Sequence, residues 1–544
     1  MNNMAKEVLL GKESIEKIKK GLNTVADAVK VTLGPKGRNI LIAKGSSTPL
    51  ITNDGATIAK EINLKDPQEN AGAQVIIKAS DETNKEAGDG TTTTAILTQK
   101  IFNAGFDKIE EGLDPIDLRA GMNTAMNNIV EGLKDESKPI EGSEDIKKIA
   151  TISSGSELIG DLITEAYDKI GKEGAIAIEE SKSNKTSIEI KQGYRIPVGL
   201  VPTFFDIGNS GKANMDLDNV AIIVSASKID VITPKMGAVL NEVATNGDKI
   251  LIIAESISDG VMGTLIYNNM KGLPVYGLQL ESVPDKLDIL KDIAIVTGAK
   301  LFDSEKGISL NDITTNDLGL ANKVKLKRET ETILMDYQGN EEEKEERIAA
   351  IKDELENNPS LNETEKKRLG ARISTLNQGV AVINLGSSSE VELGELKLRV
   401  EDALCSVKSS LEEGIVSGAG SAYIRVVNQL EMDAGSDAYT VGQKIVFDAA
   451  SSLLEQILQN AQYSEEKIND ILNEAESSGN VYNLLKDEFE DPETTNVFDP
   501  TKVERLALQK AVSTASSLLV TSGMITDEPE TTGDIVLKAL GIQN

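Results

Sequence analysis

The chain of 544 residues has no histidine, no tryptophan and one cysteine, and aromatics make up only 3% of it. Without histidine, Ser-His-Asp and Cys-His catalysis are excluded, and so is any His-ligated metal site. With Cys405 as the sole cysteine, neither an internal disulfide nor a thiolate zinc cluster can form. Cys405 falls in a helical stretch and reads as a small packed apolar residue. Cores must be built from Ile, Leu, Val and Ala. No apolar run is long enough to span a bilayer, and the N-terminus lacks the basic and apolar regions of a signal peptide, so a cytoplasmic location is expected. The net charge of −31 disfavours nonspecific binding to nucleic acid or to an anionic membrane. What remains is chemistry on carboxylates, hydroxyls, amides, Lys/Arg and bound ions, which suits magnesium-dependent phosphoryl transfer to water.

Hydrophobic content of 39% and charged content of 27% fit a globular protein, and the length predicts two or three domains. The most informative stretch is Gly88-Asp89-Gly90-Thr91-Thr92-Thr93-Thr94, between two helical segments marked by Ala73, Ile76 and Ile77 and by Ile96, Ile101 and Phe102. A helix that starts after a glycine turn points unpaired N–H groups outward, with the positive end of its dipole behind them. Glycines let a phosphate approach, and Asp89 offers the hard oxygen that Mg²⁺ prefers. An ordinary capped turn would use the same residue types. Two more glycine elements lie upstream, Thr32-Leu33-Gly34-Pro35-Lys36-Gly37-Arg38-Asn39 after an amphipathic helix and Asn53-Asp54-Gly55-Ala56-Thr57-Ile58 between strand and helix. None matches a P-loop or a Rossmann fingerprint.

In this order, and with Val400-Glu401-Asp402-Ala403-Leu404, Glu412-Glu413-Gly414 and Asp499-Pro500-Thr501-Lys502-Val503 further on, the chain resembles the chaperonins, ring-forming ATP-dependent folding machines. Thr-Leu-Gly-Pro-Lys-Gly-Arg-Asn resembles the group I (bacterial and organellar) branch. The resemblance implies a multidomain subunit with a mostly α-helical equatorial ATPase domain at 1–135 and 412–544. A small α/β intermediate hinge domain at 136–191 and 381–411 and an α/β apical substrate-binding domain at 192–380 would complete it. Texture agrees: strands are predicted at 175–178, 187–190, 221–224, 250–253 and 293–296, inside an otherwise helical chain. Residues 341–373 read as solvated helical arms packed along one face, on the stripe of Ile348, Ile351 and Leu355.

The resemblance also implies roles. Thr32, Leu33, Gly34 and Pro35 line the phosphates, and Asp89, Gly90, Thr91, Thr92 and Thr93 hold phosphate and metal, with Asp89 on Mg²⁺. Thr32 and Asn53 seat K⁺ through their backbones. Asp54 and Asp402 handle the attacking water, Asp402 arriving by closure of the intermediate domain. Gly418, Ala419 and Asp499 contact the nucleoside, and Tyr482, Asn483 and Leu484 the base. Ala419 stands where relatives carry glycine; it is harmless at negative φ and crowds the nucleotide otherwise. Leu200, Phe204, Phe205, Leu240, Val243, Met262, Ile266 and Tyr267 form the client-binding face, which core packing would explain equally well. Glu455 falls where relatives often carry a basic residue at the ring–ring contact. The expected partners are non-native polypeptides, copies of the chain in a heptameric ring and a separate lid protein. The expected function is ATP-driven folding in a ring cavity; a holdase or structural scaffold of the same fold is the alternative, and an ATPase acting on a small molecule is a third.

Overall fold

A computed structural model describes residues 6–527 apart from 44–48, 141, 173, 182–183, 207–213, 359, 378, 388, 432–434 and 493. It divides into two compact units, 1–161 with 398–544, and 162–397. The stretches expected to form a hinge domain contribute to both.

The first unit is a helical bundle. Lys12–Val29, Pro67–Ala87, Thr91–Glu110, Pro115–Glu136, Ala438–Asp448 and Thr501–Leu519 supply its principal helices. Local sequence sets their starts. Asp66 and Asp114 each precede a proline and each accept two backbone N–H groups of the first turn, which pairs an N-cap with a residue that has no N–H to satisfy. Leu22, Ile76, Leu97, Phe102, Met122, Ile129 and Val512 share one core. As the composition requires, it is mostly aliphatic. Two small ribbons lie outside the bundle: Lys6–Leu10 pairs antiparallel with Gly523–Asp527, and Ile40–Ile42 with Leu50–Thr52.

The second unit holds a mixed seven-stranded sheet. Asn214–Ser225, Lys249–Ala254 and Val275–Gln279 run parallel, joined through the helices Pro234–Thr245 and Asp259–Met270. Burial on both faces explains their unbroken apolar runs. Gly319–Lys327 and Thr332–Tyr337, neither foreseen, continue the sheet antiparallel on the other side of Asn214–Ser225. A smaller sheet sets Val380–Leu385 between Ala175–Glu180 and Ser187–Lys191, strands about 200 residues apart in sequence.

One predicted strand is wrong. Residues 293–296 lie in the helix Lys286–Thr297, with Leu290, Ile293, Ala294 and Val296 buried. A short apolar run reads the same in a buried helix as in a buried strand. The charged arms form the helices Glu341–Asn357 and Glu363–Asn377, whose Ile348, Ile351, Leu369 and Leu376 enter the core of this unit. Asp292, fully buried, ties them down: it accepts from Arg347 Nε at 2.7 Å and from Arg372 Nε and Nη2 at 2.9 and 3.0 Å.

Candidate functional site: an acidic nucleotide pocket

The helix Thr91–Glu110 begins as its sequence requires. Gly88 and Gly90 both take left-handed backbone, at φ 78° and 94°, and turn the chain sharply between two helices. Neither position has room for a side chain. A Cβ at Gly90 would lie 2.9 Å from Val503 Cγ1, and one at Gly88 would lie 2.4 Å from Cys405 Cβ. No side chain caps this helix. Its first N–H groups are therefore free of any capping side chain, and Thr91 and Thr93 are buried.

Three other segments converge on that end, and a fourth packs further along. Asp54 caps the helix Gly55–Lys60, accepting from Ala56 N and Thr57 N at 3.0 Å each and from the Thr57 hydroxyl. Gly55 sits against Thr92: a Cβ there would be 2.4 Å from Thr92 Oγ1. The 3-10 turn Lys30–Thr32 packs on the same helix further along. The helix Glu390–Glu413 docks on the Gly88 turn through Cys405 and through Ser409 Oγ, which donates to Ala87 O at 2.6 Å. Asp402, Cys405 and Ser409 recur at i, i+3 and i+7, so the face that docks also brings in Asp402. Cys405 is thus a packing residue, as composition suggested, but one that aims a carboxylate. Asp402 lies close enough for the charges of Asp89 and Asp54 to act on it.

The last segment supplies Asp499, whose Oδ2 accepts from Ala419 N at 2.8 Å. Ala419 has φ 57°. It is the strained case of the two that the sequence left open. Gly418 beside it leaves no space, since a Cβ would lie 2.9 Å from Phe498 C.

Asp89, Asp402 and Asp499 lie close enough together to resist ionisation, although Asp89 and Asp402 keep solvent-exposed surface and Asp499 is half-buried. Burial raises Asp89, and the Asp54 charge raises it further, against the Gly90 N–H that holds it down. Burial and then the charges of Asp89, Asp54 and Glu401 push Asp402 up to about 8. Burial also lifts Asp499 to about 6, with Asp89 adding to the shift and the Ala419 N–H opposing it. A fourth raised acid was missed in the sequence: Glu504, at 5% exposure, is pushed to about 8 by burial and by Asp499 and Asp89, and its Oε2 has no hydrogen-bond partner among the described residues. No sequence signal distinguishes it from a surface glutamate on an amphipathic helix. Apposed carboxyls of this kind call for positive charge. Among the described residues no three acidic groups are placed to hold a metal by themselves. That suits Mg²⁺ carried in on phosphates, which takes only one or two carboxylates from a protein.

The model of the TCP-1/cpn60 chaperonin family matches residues 25–529. The chain belongs to that family. Among solved structures, the chaperonin gp146 of bacteriophage EL 2 (Pseudomonas aeruginosa), crystallised in the presence of ATP-BeFx, is similar over 96% of this chain and 99% of its own, at 22% identity. Its two crystal forms give TM-scores of 0.72 and 0.63. The chaperonin fold expected from the sequence is thus the observed one.

Not every expected site residue joins the pocket. In the hairpin of Val481–Asn483 and Glu488–Glu490, the Tyr482 hydroxyl bonds Asp487, and Asn483 serves the turn by accepting from Leu485 N and Lys486 N at 3.1 and 3.3 Å. Leu484 packs on the cluster around Leu458 and Ile468. The client face needs a larger correction. Leu200, Phe204, Phe205, Leu240, Val243 and Met262 are all core residues of the second unit, Ile266 packs against that core, and only Tyr267, 58% exposed, faces solvent. An apolar position on an amphipathic helix looks alike whether it faces a client or its own sheet; here the sheet takes it. Glu455 pairs with Lys100 within the same chain, at 3.0 Å. Among the described residues no helix is long and apolar enough to cross a membrane.

Proposed function

We propose that this chaperonin is a group I ATPase that binds non-native polypeptides and promotes their folding in a ring cavity, through three-part subunits with the domain limits read from the sequence. The observation that carries the reading is the set Asp54, Asp89, Asp402 and Asp499 gathered around the start of Thr91–Glu110, a helix without a side-chain cap. The N–H groups of Thr91–Thr93 and the turn at Thr32–Pro35 bind the phosphates. Asp89 holds the nucleotide's Mg²⁺, and the Thr32 and Asn53 carbonyls seat K⁺. Bound there, Mg²⁺ supplies charge neutralisation on the phosphate oxygens. Asp499 and the Gly418-Ala419 backbone take the nucleoside. Asp54 orients the attacking water, and the Asp402 carboxylate accepts its proton.

The raised Asp402 has a consequence. Burial and the neighbouring acids hold its carboxyl well above the usual range in the nucleotide-free protein, which favours the protonated form there. Positive charge arriving at Asp89 lowers it again, so the base form is gained as the site is loaded.

Ring assembly draws support from the two ribbons. Val8, Leu10 and Ile525 on one and Leu41 and Ile51 on the other are 58–71% exposed, on two-stranded ribbons whose edges no other described strand pairs. Such edges pair with other chains unless something covers them, and neighbouring copies would cover them. Seven subunits and a lid protein are the expectation from the group I resemblance. Burial of six client-face residues favours the alternative of a ring that scaffolds or holds without folding. Recovery of a denatured, aggregation-prone enzyme with Mg-ATP separates the two, run with and without a group I lid protein and beside Asp402→Ala. Recovery that needs both ATP and Asp402 supports folding; suppressed aggregation alone indicates a holdase, and neither effect indicates a scaffold.

A further inference from the structure

The phosphate-side turn at Thr32–Pro35 is held from outside by a residue that no site motif contains. Asn460, the last residue of the helix Ser452–Asn460, donates its amide to two carbonyls at once, Lys30 O and Leu33 O, each at 2.9 Å. Those carbonyls bracket Val31 and Thr32. The amide cannot turn round freely, because Gln456 one turn earlier donates Nε2 to Asn460 Oδ1 at 2.9 Å. With Oδ1 so engaged, Nδ2 must face the turn. One residue from Asn460's partner, Ile457 closes the remaining side: a Cβ on Gly34, whose φ is 79°, would meet Ile457 Cγ1 at 3.1 Å. Within the segment itself, Leu33 N bonds Lys30 O at 3.2 Å, Gly37 N bonds Gly34 O at 2.9 Å, Arg38 N bonds Val31 O at 2.9 Å and the Thr32 hydroxyl donates to Val29 O at 2.8 Å.

We propose that Asn460, oriented by Gln456, is a positioning residue that presents the Thr32–Pro35 backbone to the nucleotide phosphates. The proposal rests on the ATPase reading of the pocket. Asn460 bonds only backbone carbonyls of the turn, so it acts through the turn. Glycine and proline make the turn possible, and a double donor anchored on another helix fixes the peptide carbonyls of Lys30 and Leu33 from outside it. Held phosphates are bound in ground state and transition state alike, so the effect of losing the anchor falls on KM more than on kcat.

The test is steady-state ATP hydrolysis by the assembled protein with Mg²⁺ and K⁺. Asn460→Ala removes two hydrogen bonds and should raise the KM for ATP about tenfold, with kcat within about threefold. Gln456→Met leaves Asn460 in place but frees its amide to flip, and should raise KM by about threefold. The double variant should be no worse than Asn460→Ala, since Gln456 acts only through Asn460. Gln459→Ala is the control: Gln459 lies on the same helix but bonds Glu455, at 3.2 Å, and its loss should leave KM unchanged. A KM for Asn460→Ala within twofold of the parent would overturn the proposal, as would additive effects in the double variant. If Asn460→Ala does not assemble, Gln456→Met decides alone, an unchanged KM counting against. A parent protein that neither binds nor hydrolyses ATP overturns the pocket reading itself, an outcome distinct from all of these.

Discussion

Asp402→Asn should make the nucleotide-free protein more stable while removing its hydrolysis. An aspartate whose carboxyl ionises at 3.8 when exposed and at about 8 when folded keeps its proton in the native state across that window and loses it in the unfolded chain. The native state then binds more protons than the unfolded state, so stability falls as pH rises from about 4 to about 8, and levels off above. At ~1.4 kcal/mol per unit, the displacement sets a ceiling of about 5 to 6 kcal/mol, and water reaching the carboxyl in the nucleotide-free protein reduces it to about 2 kcal/mol. Asparagine keeps the shape and has no charge to lose. The assay is urea unfolding without nucleotide at pH 5, 6.5 and 8, at one protein concentration because an oligomer's stability depends on it. The gain from the substitution should widen steadily from pH 5 to pH 8. A gain of equal size at all three pH values, or a variant less stable than its parent at pH 8, would show that Asp402 is not held protonated among Asp89, Asp54 and Glu401. ATP binding to the variant should survive, with single-turnover hydrolysis down by at least about a hundredfold, the usual worth of a positioned base.

Four further outcomes are expected. Gly88→Ala combines a left-handed backbone with a Cβ placed 2.4 Å from Cys405 Cβ; it should cost at least about 2 kcal/mol in denaturant unfolding and weaken ATP binding, because the helix carrying Asp402 must retreat. Ala419→Gly should add about 0.5 to 1 kcal/mol of stability by relieving φ 57°, and a thermal melt checks it. Asp292→Ala leaves Arg347 and Arg372 without their buried partner and should destabilise the protein by about 3 to 5 kcal/mol in the same denaturant assay. Chelation of Mg²⁺ should abolish hydrolysis, and exchange of K⁺ for Na⁺ should lower it, both read by phosphate release.

The sequence by itself determined the chemistry that was open to this protein and the order of its parts. Lack of histidine and of a second cysteine left carboxylates and bound ions, and Gly88-Asp89-Gly90 fixed a turn, an acid and a helix start within seven residues, because backbone sterics and capping act locally. Asp54 and Asp66 set caps for the same reason. Only the tertiary structure decided which distant groups share the pocket. Cys405 and Ser409 seat Asp402 by contacts more than 300 residues apart in sequence, and Glu504 becomes a pocket acid because Asp499 and Asp89 lie near it. The same holds for Phe204, Phe205 and Leu240, core rather than client face, and for residues 293–296, helix rather than strand. Periodicity tells which residues are apolar and how often they recur; what those residues touch is settled only when another part of the chain arrives to cover them.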